Sequence, residues 1–223
     1  MRFLVFDTGS LISLTLCGIL DILKKIKEIN KETEFVLTPQ IINESIEKSL
    51  NSKKYSFEAI RINHLLEKNI IKKSSEFLKD NEIFEETKRV LSIANNLISV
   101  KNEKVNLIHE GEASCIAFSK LVKEPCLIVT DERNVRLISE SPEKLKEIME
   151  RKLHTQVFID SKNLSYFKDL KYIRSSELVF YAFKKGLFDF EKKKEVLEAI
   201  LYDLKFHGTA ITSKEIEEMV RSV

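Results

Sequence analysis

The 223-residue sequence predicts an α/β fold: a three-layer α/β/α sandwich on a mostly parallel sheet, with a small helical appendage at its C-terminal end. Three observations support this. Short apolar runs alternate with longer amphipathic segments, as in parallel sheets covered by helices. Two of the runs end in an Asp, at Asp7 and Asp131. Beyond residue 162 only helical patterns follow.

Residues 2–6 are an apolar strand, Phe3-Leu4-Val5-Phe6 running into Asp7. Thr8-Gly9-Ser10 leads into a helix carrying Leu11, Ile12, Leu14, Leu16, Ile19, Leu20, Ile22, Leu23 and Ile26, apolar on most sides at first and so buried. Phe35-Val36-Leu37 is a second strand. Thr38-Pro39 then opens a helix with Thr at the N-cap and Pro in the first turn. From 55 to 102 the pattern is helical. The doublets Ile83-Phe84, Val90-Leu91 and Leu97-Ile98 recur as a broad stripe, which covers the core in a helix pair or forms part of a homodimer face. His109-Glu110-Gly111-Glu112 starts the next helix, with Ala113, Ile116, Ala117 and Leu121 on one face. Pro125 breaks it, and a strand at 126–130 ends at Asp131. Residues 133–152 are helical, restarting at Ser141-Pro142-Glu143, and Val157-Phe158-Ile159 is the last strand.

This places one α/β domain at 1–161 and a helical extension at 162–223. In the extension Tyr166–Leu170, Glu177–Lys185 and Phe190–Phe206 read as helices, Gly208 as a stop, and Thr212-Ser213-Lys214-Glu215 as a capping box for a last helix.

Composition narrows the class. At 43% apolar the chain builds a sizeable core, and it contains no run of about 18 apolar residues, so no membrane span is expected. The N-terminus opens directly on a strand, without signal-peptide features, and a cytoplasmic location is expected. Cys17, Cys115 and Cys126 are isolated in apolar contexts without metal or redox spacing, and read as reduced core thiols. Lys and Arg number 37 against 35 Asp and Glu, so global charge carries no nucleic-acid signature.

The chemistry lies in the acids. In open parallel sheets ligands bind beyond the carboxyl ends of the strands, where Asp7 and Asp131 stand. Either Asp alone is equally well an N-cap of the helix that follows it. Glu44 lies one turn into the Thr38-Pro39 helix at the border of its buried face. Glu112 borders a buried face four residues before Ile116, with Glu110 as its competitor on the adjacent side. Alone, each is an ordinary first-turn or surface Glu. Converging carboxylates repel and raise one another's pKa. Oxygen donors without clustered His or Cys suit Mg²⁺ or Mn²⁺. Such an ion offsets the repulsion, polarises a phosphoryl oxygen and lowers the pKa of a water.

Rival chemistries fit worse. The sequence has no GxxxxGK[ST] loop, no GxGxxG after the first strand, and no second His after His109-Glu110 at zincin spacing. Asp7-Thr8-Gly9 lacks the second Asp of aspartyl-phosphate phosphatases, and the paired acids of a receiver domain are missing. His64, His109, His154 and His207 are scattered and read as structural or exposed, with only His109 near the acids.

Four local contexts, in order, resemble the PIN domain, a nuclease fold. Phe6-Asp7-Thr8-Gly9-Ser10-Leu11-Ile12 is similar to its D-T-x-x-L-I start, and Thr38-Pro39 through Glu44 to its proline-then-Glu helix. Gly111-Glu112-Ala113-Ser114-Cys115-Ile116-Ala117 is similar to its G-E-A-x-x-I-A. Leu127-Ile128-Val129-Thr130-Asp131-Glu132-Arg133 is similar to its strand ending T-D-[DE]-R. The resemblance spans residues 1 to about 160. It implies an Mg²⁺- or Mn²⁺-dependent endoribonuclease that cleaves RNA, single-stranded by expectation, to 3′-hydroxyl ends. It names Asp7, Glu44, Glu112 and Asp131 as the catalytic and metal-holding acids, and so selects Glu112 over Glu110. Ser10 and Thr130 become groups orienting carboxylates or water, Glu132 a water-mediated contact, and Arg133 and Arg136 phosphate contacts. It also makes a homodimer plausible. The extra helix at 55–102 and the C-terminal extension depart from the small toxin members. An RNA-processing enzyme with a processing partner, a toxin held by an antitoxin, and a non-catalytic RNA- or protein-binding module are the readings it leaves.

Overall fold

The structure, a computed structural model, describes every residue except Asn102 and Lys192. In chain order the elements are β1 (Arg2–Phe6), α1 (Thr8–Leu16), α2 (Ile22–Ile29), β2 (Thr33–Leu37) and α3 (Pro39–Ile42), which runs on into a π-helical segment, Asn43–Lys48. Next come α4 (Ser56–Glu67), β3 (Lys72–Lys73), α5 (Asp80–Ala94), β4 (Ile98–Val100), β5 (Glu103–Lys104), α6 (Glu110–Leu121) and β6 (Cys126–Val129). They are followed by α7 (Arg133–Glu140), α8 (Pro142–Leu153), β7 (Phe158–Ile159), α9 (Ser161–Leu164), β8 (Tyr172–Ile173), α10 (Ser175–Lys184), α11 (Lys194–Phe206) and α12 (Ser213–Arg221).

The main sheet has the order β3-β2-β1-β6-β8, and every pairing in it is parallel. Phe3, Leu4, Val5 and Phe6 are all buried, so β1 is covered on both faces and can be apolar throughout. Helices flank the sheet as a three-layer α/β/α sandwich. α6 packs on α5 and against β1 and β6, while α1 packs on α4 and α10. Among the described residues no helix is long and apolar enough to cross a membrane.

The single long helix expected from Thr8 to Ile26 is two. Gly18 adopts a positive φ of 70°, its amide donates to the Thr15 carbonyl, and the Ile19 amide reaches back to the Leu14 carbonyl. This pair of bonds is a Schellman stop, and glycine takes the left-handed position without penalty. The 55–102 region is also less helical than its pattern. Ile83 and Val90 are buried in α5, but the helix ends at Ala94, and Leu97-Ile98 enters an antiparallel ribbon, β5-β4-β7. The strand at Phe158–Ile159 belongs to that ribbon and is not the last one. β8 follows it and joins the edge of the main sheet beside β6. The chain after 162 therefore holds a strand as well as helices. Tyr166–Leu170 shrinks to a 3₁₀ turn at Ser165–Phe167, and α11 starts at Lys194. Leu197, Leu201, Leu204 and Ile216 share one apolar cluster with Phe3 and Val5.

Candidate active site

The carboxyl ends of β1 and β6 open onto a cleft of about 460 Å³. Asp7, Glu44, Glu112 and Asp131 all line it, with Glu132, His109 and His207 around them. Glu110 is exposed and does not line it.

Asp7 follows directly from strand pairing. Phe6 lies opposite Val129, and the Asp7 amide donates to the Val129 carbonyl at 2.9 Å. Asp7 occupies the N-cap position of α1, yet its side chain makes no capping hydrogen bond there. It accepts instead from Thr130 Oγ1 at 3.2 Å. The Glu132 amide donates to the same Thr130 oxygen at 3.1 Å, which leaves the hydroxyl proton for Asp7. Burial, and then the Glu112 carboxylate, push the Asp7 carboxyl up to about 7.

Asp131 does not cap the helix after its strand either, because Glu132 takes that position and accepts from the Asn134 amide. Asp131 points across to the start of α10. Its Oδ1 accepts from the Ser175 amide at 2.9 Å, and its Oδ2 from the Ser175 hydroxyl at 2.7 Å and the Thr209 hydroxyl at 3.0 Å. The positive end of the α10 dipole adds to these bonds. Burial still raises its pKa, with the Ser175 and Thr209 donors pulling it back.

Glu44 sits in the π-helical turn, a widening that re-aims side chains. Thr8 Oγ1 donates to its Oε2 at 3.1 Å. Gly111 makes room for it: a Cβ there would lie 2.6 Å from Glu44 Oε2 and 3.1 Å from Ile41 Cδ1. Glu112 is held by the His109 amide in the first turn of α6. Its pKa is raised by burial first, with Glu132 and Glu44 adding to the rise.

Other expected roles are redistributed. Ser10 is buried, but its hydroxyl donates to the Val129 carbonyl at 3.2 Å rather than to a carboxylate, so it ties α1 to the β6 tip. Arg133 and Arg136 line a neighbouring groove rather than the acidic cleft, together with Lys144, Arg174, Lys205 and Lys214. Arg136 pairs with Glu140 at 3.4 Å and acts on Asp131 only through its charge. Ser175 and Thr209 were not foreseen as partners of Asp131. The Ser175-Ser176-Glu177 helix start was a visible signal, but not the acid it would meet.

The donor set suits a hard divalent cation. Five carboxylates line the cleft, with His109 and His207 as its basic groups and, among the described residues, neither Lys nor Arg on its wall. No three of these carboxylates bring oxygens within 4.8 Å of one another. Closing them on an ion requires torsional movement, which the half-buried, long Glu44 and Glu112 side chains can supply. No protein-family model matches the chain, nor does any curated protein or solved structure.

Proposed function

We propose that this protein is a metal-dependent endoribonuclease that hydrolyses RNA phosphodiester bonds at the four-carboxylate cleft. One observation carries the reading: Asp7, Glu44, Glu112 and Asp131, from four separate places in the chain, line one cleft beside Glu132, and among the described residues its wall has no Lys or Arg to neutralise them. The resemblance of the surrounding motifs to PIN-domain nucleases supports the substrate class and the 3′-hydroxyl product.

Asp7, Glu44, Glu112 and Asp131 would hold Mg²⁺ or Mn²⁺, which when bound supplies Lewis acidity toward the scissile phosphate and its attacking water. The chain's own part is positioning. Thr130 fixes Asp7, Ser175 and Thr209 fix Asp131, Thr8 steers Glu44, and the His109 amide steers Glu112. These donors limit rotation of carboxylates that would otherwise swing apart under mutual repulsion. Arg133 and Arg136, in the neighbouring groove, are suited to backbone phosphates flanking the scissile bond.

The test is incubation of purified protein with single-stranded RNA and Mn²⁺ or Mg²⁺. Cleavage is expected for the wild type and is expected to vanish with Asp7→Asn plus Asp131→Asn. Cleavage that survives both changes overturns the reading.

A second reading, a non-catalytic RNA- or protein-binding module, is favoured by the separation of the carboxylate oxygens. RNA binding without Mn²⁺ uptake at millimolar levels would select it. A toxin role under an antitoxin is a refinement of the first reading, tested by growth arrest on expression and its relief by Asp7→Ala.

A further inference from the structure

Among the described residues, the tightest group of metal-ligating side chains lies outside the four acids. Cys17 is the C-cap of α1, and Asp203 and His207 stand one turn apart at the end of α11. Cys17 Sγ lies 3.6 Å from His207 Nδ1, and that nitrogen lies 3.2 Å from Asp203 Oδ1. All three ligand atoms fall within 4.8 Å of one another, and among the described residues no other group of His, Cys, Asp and Glu does so.

These separations can be compared with a coordination sphere. A tetrahedral zinc ion with Zn–S of about 2.3 Å and Zn–N and Zn–O of about 2.1 Å requires S···N of about 3.6 Å and N···O of about 3.4 Å. The S···N edge already has that length, and the N···O edge is within a few tenths of an ångström of it. The arrangement is braced independently of any ion, because Ser13 Oγ of α1 donates to the His207 carbonyl at 3.0 Å. The Asp203 and His207 side chains are 48% and 35% exposed, so an ion can arrive from solvent and keep a water in its fourth position. A thiolate and a carboxylate together balance a divalent charge.

We propose that Cys17, Asp203 and His207 form a binding site for a thiophilic divalent transition metal of the Zn²⁺ class. Its donors differ from those of the carboxylate cleft: sulfur and imidazole select Zn²⁺ or Co²⁺, whereas an all-oxygen set suits Mg²⁺ or Mn²⁺. The site stands whether or not the cleft hydrolyses RNA. His207 Nδ1 also lies 2.9 Å from the Asp203 backbone carbonyl, which can only accept, so metal binding through Nδ1 would place the ring proton on Nε2. The bound ion clamps the end of α11 to α1. The chain continues from His207 through Gly208 to Thr209, which donates to Asp131. The clamp therefore fixes the C-terminal segment against the cleft wall that His207 and Gly208 form.

The test uses the full chain, reduced and stripped with chelator, titrated with Co²⁺ in excess Mg²⁺ to keep the carboxylate cleft occupied. A sulfur-to-cobalt charge-transfer band in the near ultraviolet is expected, together with the visible bands of a tetrahedral ion, and Zn²⁺ should displace both. Cys17→Ala and Cys17→Ser should each lose the charge-transfer band, whereas Cys126→Ala keeps it. Asp203→Asn, a change on an exposed side chain, should keep the fold by circular dichroism and weaken Co²⁺ uptake at least tenfold. A wild type without the charge-transfer band overturns the proposal, as does a band that persists in the Cys17 variants.

Discussion

Replacing Asp7 with Asn tests the electrostatics of the cleft without changing its shape. Asp7 is 7% exposed, and its carboxyl is pushed from 3.8 up to about 7 by burial and then by Glu112. A folded-state pKa above the unfolded value means that the folded protein prefers the neutral acid. Stability from this group is therefore full below pH 3.8 and is lost as pH rises through about 7. About three pKa units at 1.36 kcal/mol each give a loss of about 4 kcal/mol, of which about 3 kcal/mol falls between pH 4.5 and 8. Asn is neutral throughout and keeps an oxygen that can accept from Thr130, so the variant escapes that loss. Urea unfolding of both proteins across this range, without divalent metal, should show Asp7→Asn gaining on the wild type by about 3 kcal/mol. At the scale of this chain that corresponds to roughly 6–12 °C in Tm. Mn²⁺ added at pH 8 should close most of the gap by stabilising the wild type alone. A difference that stays flat from pH 4.5 to 8 refutes the reasoning, since ionisation of Asp7 would then cost the fold nothing.

Three further outcomes follow from the geometry. Gly111→Ala puts a methyl 2.6 Å from Glu44 Oε2, so it should displace that carboxylate and weaken Mn²⁺ binding measured by calorimetry at least tenfold, with a stability loss of about 1–3 kcal/mol. Ser175→Ala removes a hydroxyl donor from Asp131, raises that acid's pKa further and should cost about 1–3 kcal/mol in chemical denaturation. The cost should shrink as pH falls and the acid is protonated. Arg133→Ala with Arg136→Ala should weaken RNA binding and flatten its salt dependence while leaving Mn²⁺ affinity unchanged, because these residues line the neighbouring groove.

The parts of the molecule legible in the sequence are those where local pattern and global position coincide. The four-residue apolar stretches at β1 and β6 suit neighbouring strands of a covered parallel sheet, and their parallel pairing brings Asp7 and Asp131 out at the same edge. Thr38 at an N-cap and Pro39 behind it marked the helix that carries Glu44. What escaped depends on partners distant in sequence. β8 is two residues long and exists because β6 offers it an edge, not because Tyr172-Ile173 has a strand pattern of its own. The Leu97-Ile98 doublet keeps the helical stripe going in the sequence after the helix has ended, since burial in an antiparallel ribbon asks for the same residue types. Ser175 and Thr209 lie 44 and 78 residues beyond Asp131, and nothing in their local context names that acid. Cys17 and His207, separated by 190 positions, offered no ligand spacing to read.

Whether the four carboxylates act together on a cation is tested most directly by a crystal soaked in Mn²⁺ and measured at the manganese absorption edge. The predicted result is an anomalous peak in the cleft within coordinating distance of Asp7 and at least two of Glu44, Glu112 and Asp131, with Glu44 or Glu112 rotated inward. A cleft without manganese at saturating concentration, its carboxylates still apart, would contradict it.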